Sequence, residues 1–274
     1  MSWLAVSVRA DDADRDAVLG ALFAAGARAV EELGDDVRTY LPPGTDPTPV
    51  VQALSAASPS ATIRTAEVVV RDWDTAWRER LGAQRAGRIV VAPPWLAAGH
   101  DPASTVVIDP GMAFGTGDHA TTRGVLRLMS DVLRPGDRVA DLGAGSAVLA
   151  IAAAKLGAAS VAAIEVDPDA IDNAEANVRA NGVADRVTVL LGDARVLLPL
   201  VAPVRIILAN IVTPVLLELA PVMRDALTRD GCVILSGITA DEQDGFARTL
   251  IDGGWEVRAE DREESWWSAV VAPR

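Results

Sequence analysis

The chain is short of the residues that most often announce a chemistry by themselves. Its 274 residues include one cysteine, Cys232, two histidines and a single lysine, Lys155, against 24 arginines. One thiol excludes a disulfide framework and a cysteine-rich zinc module, and suits a reducing compartment. No metal site is expected. Positive charge is scarce as well: 25 Lys+Arg stand against 38 Asp+Glu, a formal charge of −13. Binders of a phosphate backbone concentrate positive charge, so direct contact with nucleic acid is disfavoured and a basic macromolecular partner is favoured. The arginine-for-lysine bias reads as the signature of a GC-rich genome. Long apolar runs are missing too. The stretch from Leu142 to Ala154 is too short to span a bilayer and is rich in alanine and glycine, so no membrane association is expected. Met1 to Ala10 has neither the basic start nor the apolar run of a signal peptide. The expected location is the cytoplasm.

Half of the residues are apolar, enough for a sizeable core. Length suggests one large domain with a smaller one attached. In the first 70 residues the pattern alternates from Trp3 to Val8, becomes helical from Asp11 to Ala25, and turns strand-like at 27–33 and 36–41. A helix from about Val50 to Ala57 and a β-branched strand from Thr62 to Val70 follow. The order β-α-β-β-α-β predicts a ferredoxin-like module. It carries 5 basic and 10 acidic residues. A helical linker is expected over 71–87, with Trp73 and Trp77 on one face.

From residue 88 onward an α/β domain is expected. Strand candidates at 138–142, 160–165, 186–191, 204–209 and 231–236 alternate with helical stretches at 147–156, 168–181, 214–228 and 240–252. Such alternation predicts a doubly wound parallel sheet. Trp255–Ala259 and Ser265–Val271, joined by Glu260–Glu264 without a helix, predict a terminal antiparallel hairpin and seven strands in all.

The first parallel strand runs into Asp141-Leu-Gly-Ala-Gly-Ser-Ala147. Gly143 and Gly145 permit a sharp turn and close approach to a ligand. Glu165 ends the next strand, placed to accept two ribose hydroxyls. Dinucleotide and S-adenosylmethionine sites share this combination. Val148 departs from the third small residue of a dinucleotide fingerprint, Asp141 suits a ligand ammonium better than a pyrophosphate, and the terminal hairpin belongs to the methyltransferase fold. These features favour S-adenosyl-L-methionine as the cofactor. Asp193, after the third strand, is a candidate acceptor for the adenine amine or a helix cap. Asn210, ending the fourth, is a candidate to orient an amine nucleophile or to hold the loop that follows.

Before the glycine loop lies Asp109-Pro-Gly-Met-Ala-Phe-Gly-Thr-Gly-Asp-His-Ala-Thr-Thr122. With this string the sequence resembles the ribosomal protein methyltransferase family that modifies protein eleven of the large ribosomal subunit, whose signature is DPGxAFGTGxHxTT. The resemblance continues through Glu165-Val-Asp-Pro168, Ala209-Asn-Ile211, Leu235-Ser-Gly-Ile238 and Glu263-Glu-Ser-Trp266, so it covers nearly the whole chain. It implies a class I methyltransferase domain behind an N-terminal domain that grips a basic ribosomal protein, and methylation of lysine side chains and of the N-terminal amine. Thr122, Gly143, Glu165 and Asn210 would contact the cofactor. Phe114 and Gly115–Gly117 would wall the active site, and Asn210 would lie near the accepting amine. A monomer is expected.

The chain departs from the family pattern at Ala147, where a third glycine is usual, and at Glu165, usually aspartate. It also has Ala120 in place of proline and Asp118 in place of a common threonine. The methyl of Ala147 is expected to crowd the loop that receives the cofactor's carboxylate, and cofactor affinity is where these departures should tell. His119 is a candidate general base or a brace for the signature loop. Three other readings compete. A base-modifying methyltransferase would follow its Asn with two prolines and an aromatic, and Ile211-Val-Thr213 does not fit. A relative with another protein substrate, and a non-catalytic binding protein, are told apart by cofactor binding and by labelling of the substrate.

Overall fold

The computed structural model describes residues 2–11, 14–27, 30–33, 36–42, 44–69, 82–109 and 117–274. It divides into two compact units, Met1–Arg80 and Leu81–Arg274.

The first unit runs β1 (Ser2–Arg9), α1 (Arg15–Ala24), β2 (Glu31–Leu33), β3 (Asp36–Leu41), α2 (Pro47–Ala57) and β4 (Thr62–Val69). Its sheet has the order β2-β3-β1-β4, antiparallel at each junction. This is the order that a split β-α-β unit produces. Leu4, Val6 and Val8 alternate inward on β1 and pack with Val18 and Leu22 of α1 and Val50 and Leu54 of α2. The helix α2 begins three residues earlier than its apolar pattern suggests. Asp46 accepts the Thr48 amide at 2.8 Å, and Pro47 and Pro49 occupy a first turn whose amides have no intrahelical partner anyway. The expected helical linker with Trp73 and Trp77 lies mostly outside the described residues. Where it is described it differs from expectation, because Gln84–Ala86 form a strand.

The second unit opens with a small sheet, β5 (Gln84–Ala86), β6 (Ile89–Ala92) and β7 (Thr105–Val107), with a one-turn helix α3 (Pro94–Ala97) between the last two. There follow α4 (Ala120–Val132), β8 (Arg138–Leu142), α5 (Val148–Lys155), β9 (Ser160–Glu165), α6 (Pro168–Ala180), β10 (Val187–Leu191) and α7 (Ala194–Val201). The unit continues with β11 (Val204–Asn210), α8 (Thr213–Ala226), β12 (Leu227–Thr239), α9 (Ala240–Asp252), β13 (Trp255–Glu263) and β14 (Trp266–Pro273). The large sheet has the order β10-β9-β8-β11-β12-β14-β13, and its first five strands are parallel. Neighbouring residues on each strand feed opposite cores. Val139, Ile206, Leu208 and Ile234 pack with α4, α5 and α6, while Leu142, Ile207, Ala209 and Leu235 pack with α7, α8 and α9. Cys232 is buried in this sheet, where burial pushes its thiol pKa up.

Two elements refine the expectation. The helix α7 is not among the expected helices: it is only eight residues long and carries Pro199, ordinarily a helix breaker, inside it. In the terminal hairpin, β13 and β14 extend through the expected connection and meet at a two-residue turn, with Glu264 left-handed at φ +56°. The last strand is inserted between β12 and β13, antiparallel to both. Strand order reverses between β8 and β11. At such a reversal the loops at the carboxyl ends of neighbouring strands diverge and leave a crevice.

Candidate active site

The crevice at the β8/β11 reversal is framed by the glycine loop on one side and by Asn210 and Ile211 on the other. Gly143 has φ +69°, and a Cβ there would lie 2.6 Å from Ile211 Cγ2, so both conformation and space demand glycine. The amides of Gly143 and Ala144 both donate to the Ile164 carbonyl, at 2.9 and 3.1 Å. Glu165, 8% exposed, completes the turn. Its Oε2 accepts the Gly145 amide at 2.8 Å, and its Oε1 accepts those of Val166 at 2.8 Å and Asp167 at 2.9 Å. A carboxylate has about four acceptor positions, so one remains where two were expected for ribose.

Asp141 lies beneath this loop, 1% exposed. Its Oδ2 accepts the Ala150 amide at 3.0 Å, and its Oδ1 is buried with no hydrogen-bond partner. Burial raises its pKa to about 7; the Ala150 bond opposes the rise and the charge of Glu165 adds to it. An unpartnered, buried acidic oxygen is suited to a cationic group. The methionyl ammonium of S-adenosylmethionine fits that requirement.

Beside the loop is an apolar-walled cavity of about 220 Å³ lined by Leu142, Gly143, Ile164, Val166 and Ile211, with Asp193, Arg195 and Glu218 at its polar margin. Asp193 serves as the cap of α7. It accepts the Arg195 amide at 2.8 Å, and the Arg195 guanidinium grips it at 3.0 and 2.5 Å, holding its pKa below the usual carboxylate range. Of the two roles expected for Asp193, capping is the one its hydrogen bonds perform.

The signature string enters from the other side. Residues 110–116, Phe114 among them, lie outside the described residues. Gly117 has φ +83° and sits so close to β6 that a Cβ would fall 2.4 Å from Val91. His119 caps α4, its Nδ1 accepting the Thr121 amide at 3.4 Å and lying 2.7 Å from Thr121 Oγ1. Its ring meets Trp266 edge to face, with centroids 5.1 Å apart. These contacts brace the loop, and they commit Nδ1 away from any role as general base. Asn210 Nδ2 reaches Thr121 Oγ1 at 3.1 Å and Thr122 Oγ1 at 3.5 Å. Among the described residues nothing donates to Asn210 Oδ1. Thr122 is fully buried.

The late Glu263–Trp266 segment joins the same assembly. Arg127 of α4 binds Asp261 at 2.8 and 2.6 Å and Glu263 at 2.6 Å, while Arg123 binds Glu263 at 2.8 Å and also the Asp118 carbonyl. Ser236 and Ser268 exchange a buried hydrogen bond of 2.7 Å between β12 and β14. The structure therefore brings Asp141, Gly143, Gly145, Glu165, His119, Thr122 and Asn210 to one edge, with Asp193 at its margin. Sequence reasoning missed Thr121 and Arg195. The paired threonines in the first turn of α4 were the available sign for the first. Among the described residues no acidic, His or Cys cluster is arranged for a metal, and no helix is long and apolar enough to cross a membrane.

Comparison with known proteins agrees with this geometry. The family model described as ribosomal protein L11 methyltransferase (PrmA) matches residues 5–273. The ribosomal protein L11 methyltransferase of Thermus thermophilus is 37% identical over 251 residues, covering 92% of each chain. That of Pelotomaculum thermopropionicum is 37% identical over 244 residues, 86% of this chain and 78% of the relative. The crystal structure of a ribosomal protein L11 methylase from Lactobacillus delbrueckii subsp. bulgaricus superposes with a TM-score of 0.60 at 30% identity, covering 68% of this chain and 95% of that one. The chain belongs to the ribosomal protein L11 methyltransferase family.

Proposed function

We propose that this chain transfers methyl groups from S-adenosylmethionine to lysine side-chain amines and the N-terminal amine of ribosomal protein L11, in the cytoplasm and as a monomer. One observation carries the reading: the signature threonines Thr121 and Thr122 lie against Asn210 at the strand-order reversal that also holds the glycine loop. The cofactor supplies a methyl group already activated on a sulfonium. What the protein must add is alignment and a neutral amine. Asp141 Oδ1 would hold the cofactor's ammonium, Glu165 would offer its remaining acceptor position to ribose, and the cavity beside Val166 and Ile211 would take adenine.

An unperturbed lysine of pKa about 10.4 costs about 4.6 kcal/mol to deprotonate at pH 7, an α-amine near 8 only about 1.4 kcal/mol. Desolvation of the lysine in an enclosed channel offsets part of the larger cost. Asn210 Oδ1 would accept an N–H of the neutral amine and so direct its lone pair. The N-terminal unit, with 10 acidic and 5 basic residues up to position 70, would attract a basic partner, so kcat/KM should fall as salt is added.

The test is to incubate the protein with methyl-labelled cofactor and purified ribosomal protein L11, beside a ribosome-free extract. Label on L11 amines is expected. Label on another protein would keep the chemistry and replace the substrate. Cofactor binding by calorimetry without any transfer would leave a binding protein.

A further inference from the structure

We propose that Thr121 is a positioning residue: its hydroxyl fixes which end of the Asn210 amide faces the accepting amine. The inference rests on the proposed role of Asn210 and adds to it a reason for the amide's orientation. His119 Nδ1 accepts the backbone amide of Thr121, so that nitrogen carries a lone pair. Thr121 Oγ1 lies 2.7 Å from the same nitrogen, and two lone pairs do not approach so closely without a proton between them. In the tautomer that the Thr121 amide selects, the proton is the hydroxyl's own, and it is spent on His119. The oxygen is then purely an acceptor toward its other neighbour, which is Asn210 at 3.1 Å. Only the NH2 end of the amide can face it. The second amide hydrogen has Thr122 Oγ1 at 3.5 Å.

The consequence falls on the other end of the amide. With Nδ2 committed to the threonines, the carbonyl Oδ1 is the hydrogen-bonding atom left over, and it accepts. A neutral amine about to be methylated needs an acceptor for an N–H, so that its lone pair points at the methyl group. A flipped amide would set its oxygen against the threonine oxygen and offer the amine a donor, which engages the lone pair the reaction uses. The imidazole that holds the hydroxyl proton is itself set by its edge contact with Trp266 on β14, 5.1 Å between centroids. The terminal hairpin is thus connected to the orientation of Asn210 through three side chains.

The experiment compares Thr121→Val, which keeps the shape and removes the hydroxyl, with Thr121→Ser, which keeps it, in wild-type and Asn210→Ala backgrounds. Thermal unfolding shows that each variant is folded, and calorimetry gives cofactor affinity. Thr121→Val should lower kcat by about 10-fold or more, with KM for the protein substrate and cofactor affinity within ~2-fold. Thr121→Ser should restore most of the turnover. In the Asn210→Ala background Thr121→Val should add no further loss, since both act through one amide. Wild-type turnover in Thr121→Val, equal losses in the Ser and Val variants, or losses that multiply in the double variant would overturn the inference and leave the role of Asn210 standing. Full turnover in Asn210→Ala would overturn both.

Discussion

The Glu165 carboxylate accepts the Gly145 amide at 2.8 Å, tying the end of β9 to the middle of the glycine loop. With the amides of Val166 and Asp167 on its other oxygen, one side chain orders the backbone that follows β8 and the backbone that follows β9. An aspartate, one methylene shorter, reaches less far toward the Gly145 amide from that position. The departure from the family's usual residue therefore has a structural content: the longer acid holds the loop in shape before any ligand arrives.

Glu165→Gln tests this. A glutamine offers one acceptor oxygen, and its NH2 would face a backbone N–H that it cannot receive. Leaving a buried donor unpaired costs about 1–3 kcal/mol. For a unit of this size the melting temperature should fall by roughly 2–10 °C, and S-adenosylhomocysteine should bind more weakly. Unfolding at the wild-type temperature with unchanged affinity would show that the three bonds do not brace the loop.

The order of elements and the acceptor-rich edge were legible in the sequence, because period-2 and helical patterns, caps such as Asp167, and glycines are local signals. The bonding partners were not. Glu165 was placed correctly, yet its commitment to three amides depends on where Gly145 arrives from another strand. Asp193 has two equal readings in the sequence, and the capping bonds it makes depend on the guanidinium of Arg195, two residues on. His119 reads from sequence as either a base or a brace, and the bracing contacts of its Nδ1 depend on the placement of Thr121. The insertion of β14 between β12 and β13 is long-range pairing, which no window of sequence contains. α7 was hidden by Pro199.

The buried acid Asp141 makes stability depend on pH in a definite direction. Its folded pKa, about 7, lies above the ordinary aspartate value of 3.8, so between these pH values the folded protein keeps a proton that the unfolded chain has lost. Stability should therefore decline as pH rises from about 4 to 7 and level off above. At about 1.4 kcal/mol per pH unit the total is roughly 4 kcal/mol. Asp141→Asn should flatten that slope in denaturant titrations. A ligand ammonium opposite Oδ1 would lower the pKa, so binding of S-adenosylhomocysteine near pH 6.5 should release up to about one proton, read by calorimetry in buffers of different ionisation enthalpy. No buffer dependence would count against the ammonium contact.

At the terminal hairpin the sign is opposite. The guanidinium of Arg123, with Arg127 beside it, holds the Glu263 carboxyl below its ordinary range. A depressed carboxylate pKa contributes stability that is fully present above about 4.5 and is lost as pH falls through the folded value. Glu263→Gln should remove that part of the acid transition and cost about 1–3 kcal/mol at neutral pH, as charge-assisted bonds do. Since the same bonds anchor the start of α4, turnover should drop more than cofactor affinity does. An acid unfolding curve that coincides with the wild type would reject the coupling.

Ala147 stands in the left-handed region at φ +65°, which explains why glycine is usual there, and the observed geometry changes what its methyl is expected to do. The residue is fully buried and belongs to the core cluster that packs α5 onto the sheet. Its methyl is thus accounted for by packing in that core, and it is not among the residues that line the apolar-walled cavity. Ala147→Gly would relieve about 1–2 kcal/mol of left-handed strain. It would also remove a buried methyl of about 0.8 kcal/mol and add roughly 0.5–1 kcal/mol of backbone entropy to the unfolded chain. These nearly cancel, so the melting temperature should move by no more than about 4 °C. Affinity for S-adenosylhomocysteine should change by less than ~3-fold, because nothing on the ligand side of the loop has been altered. Tenfold tighter binding in the glycine variant would return the methyl to the site and show that the loop closes on the cofactor from the side where Ala147 now packs.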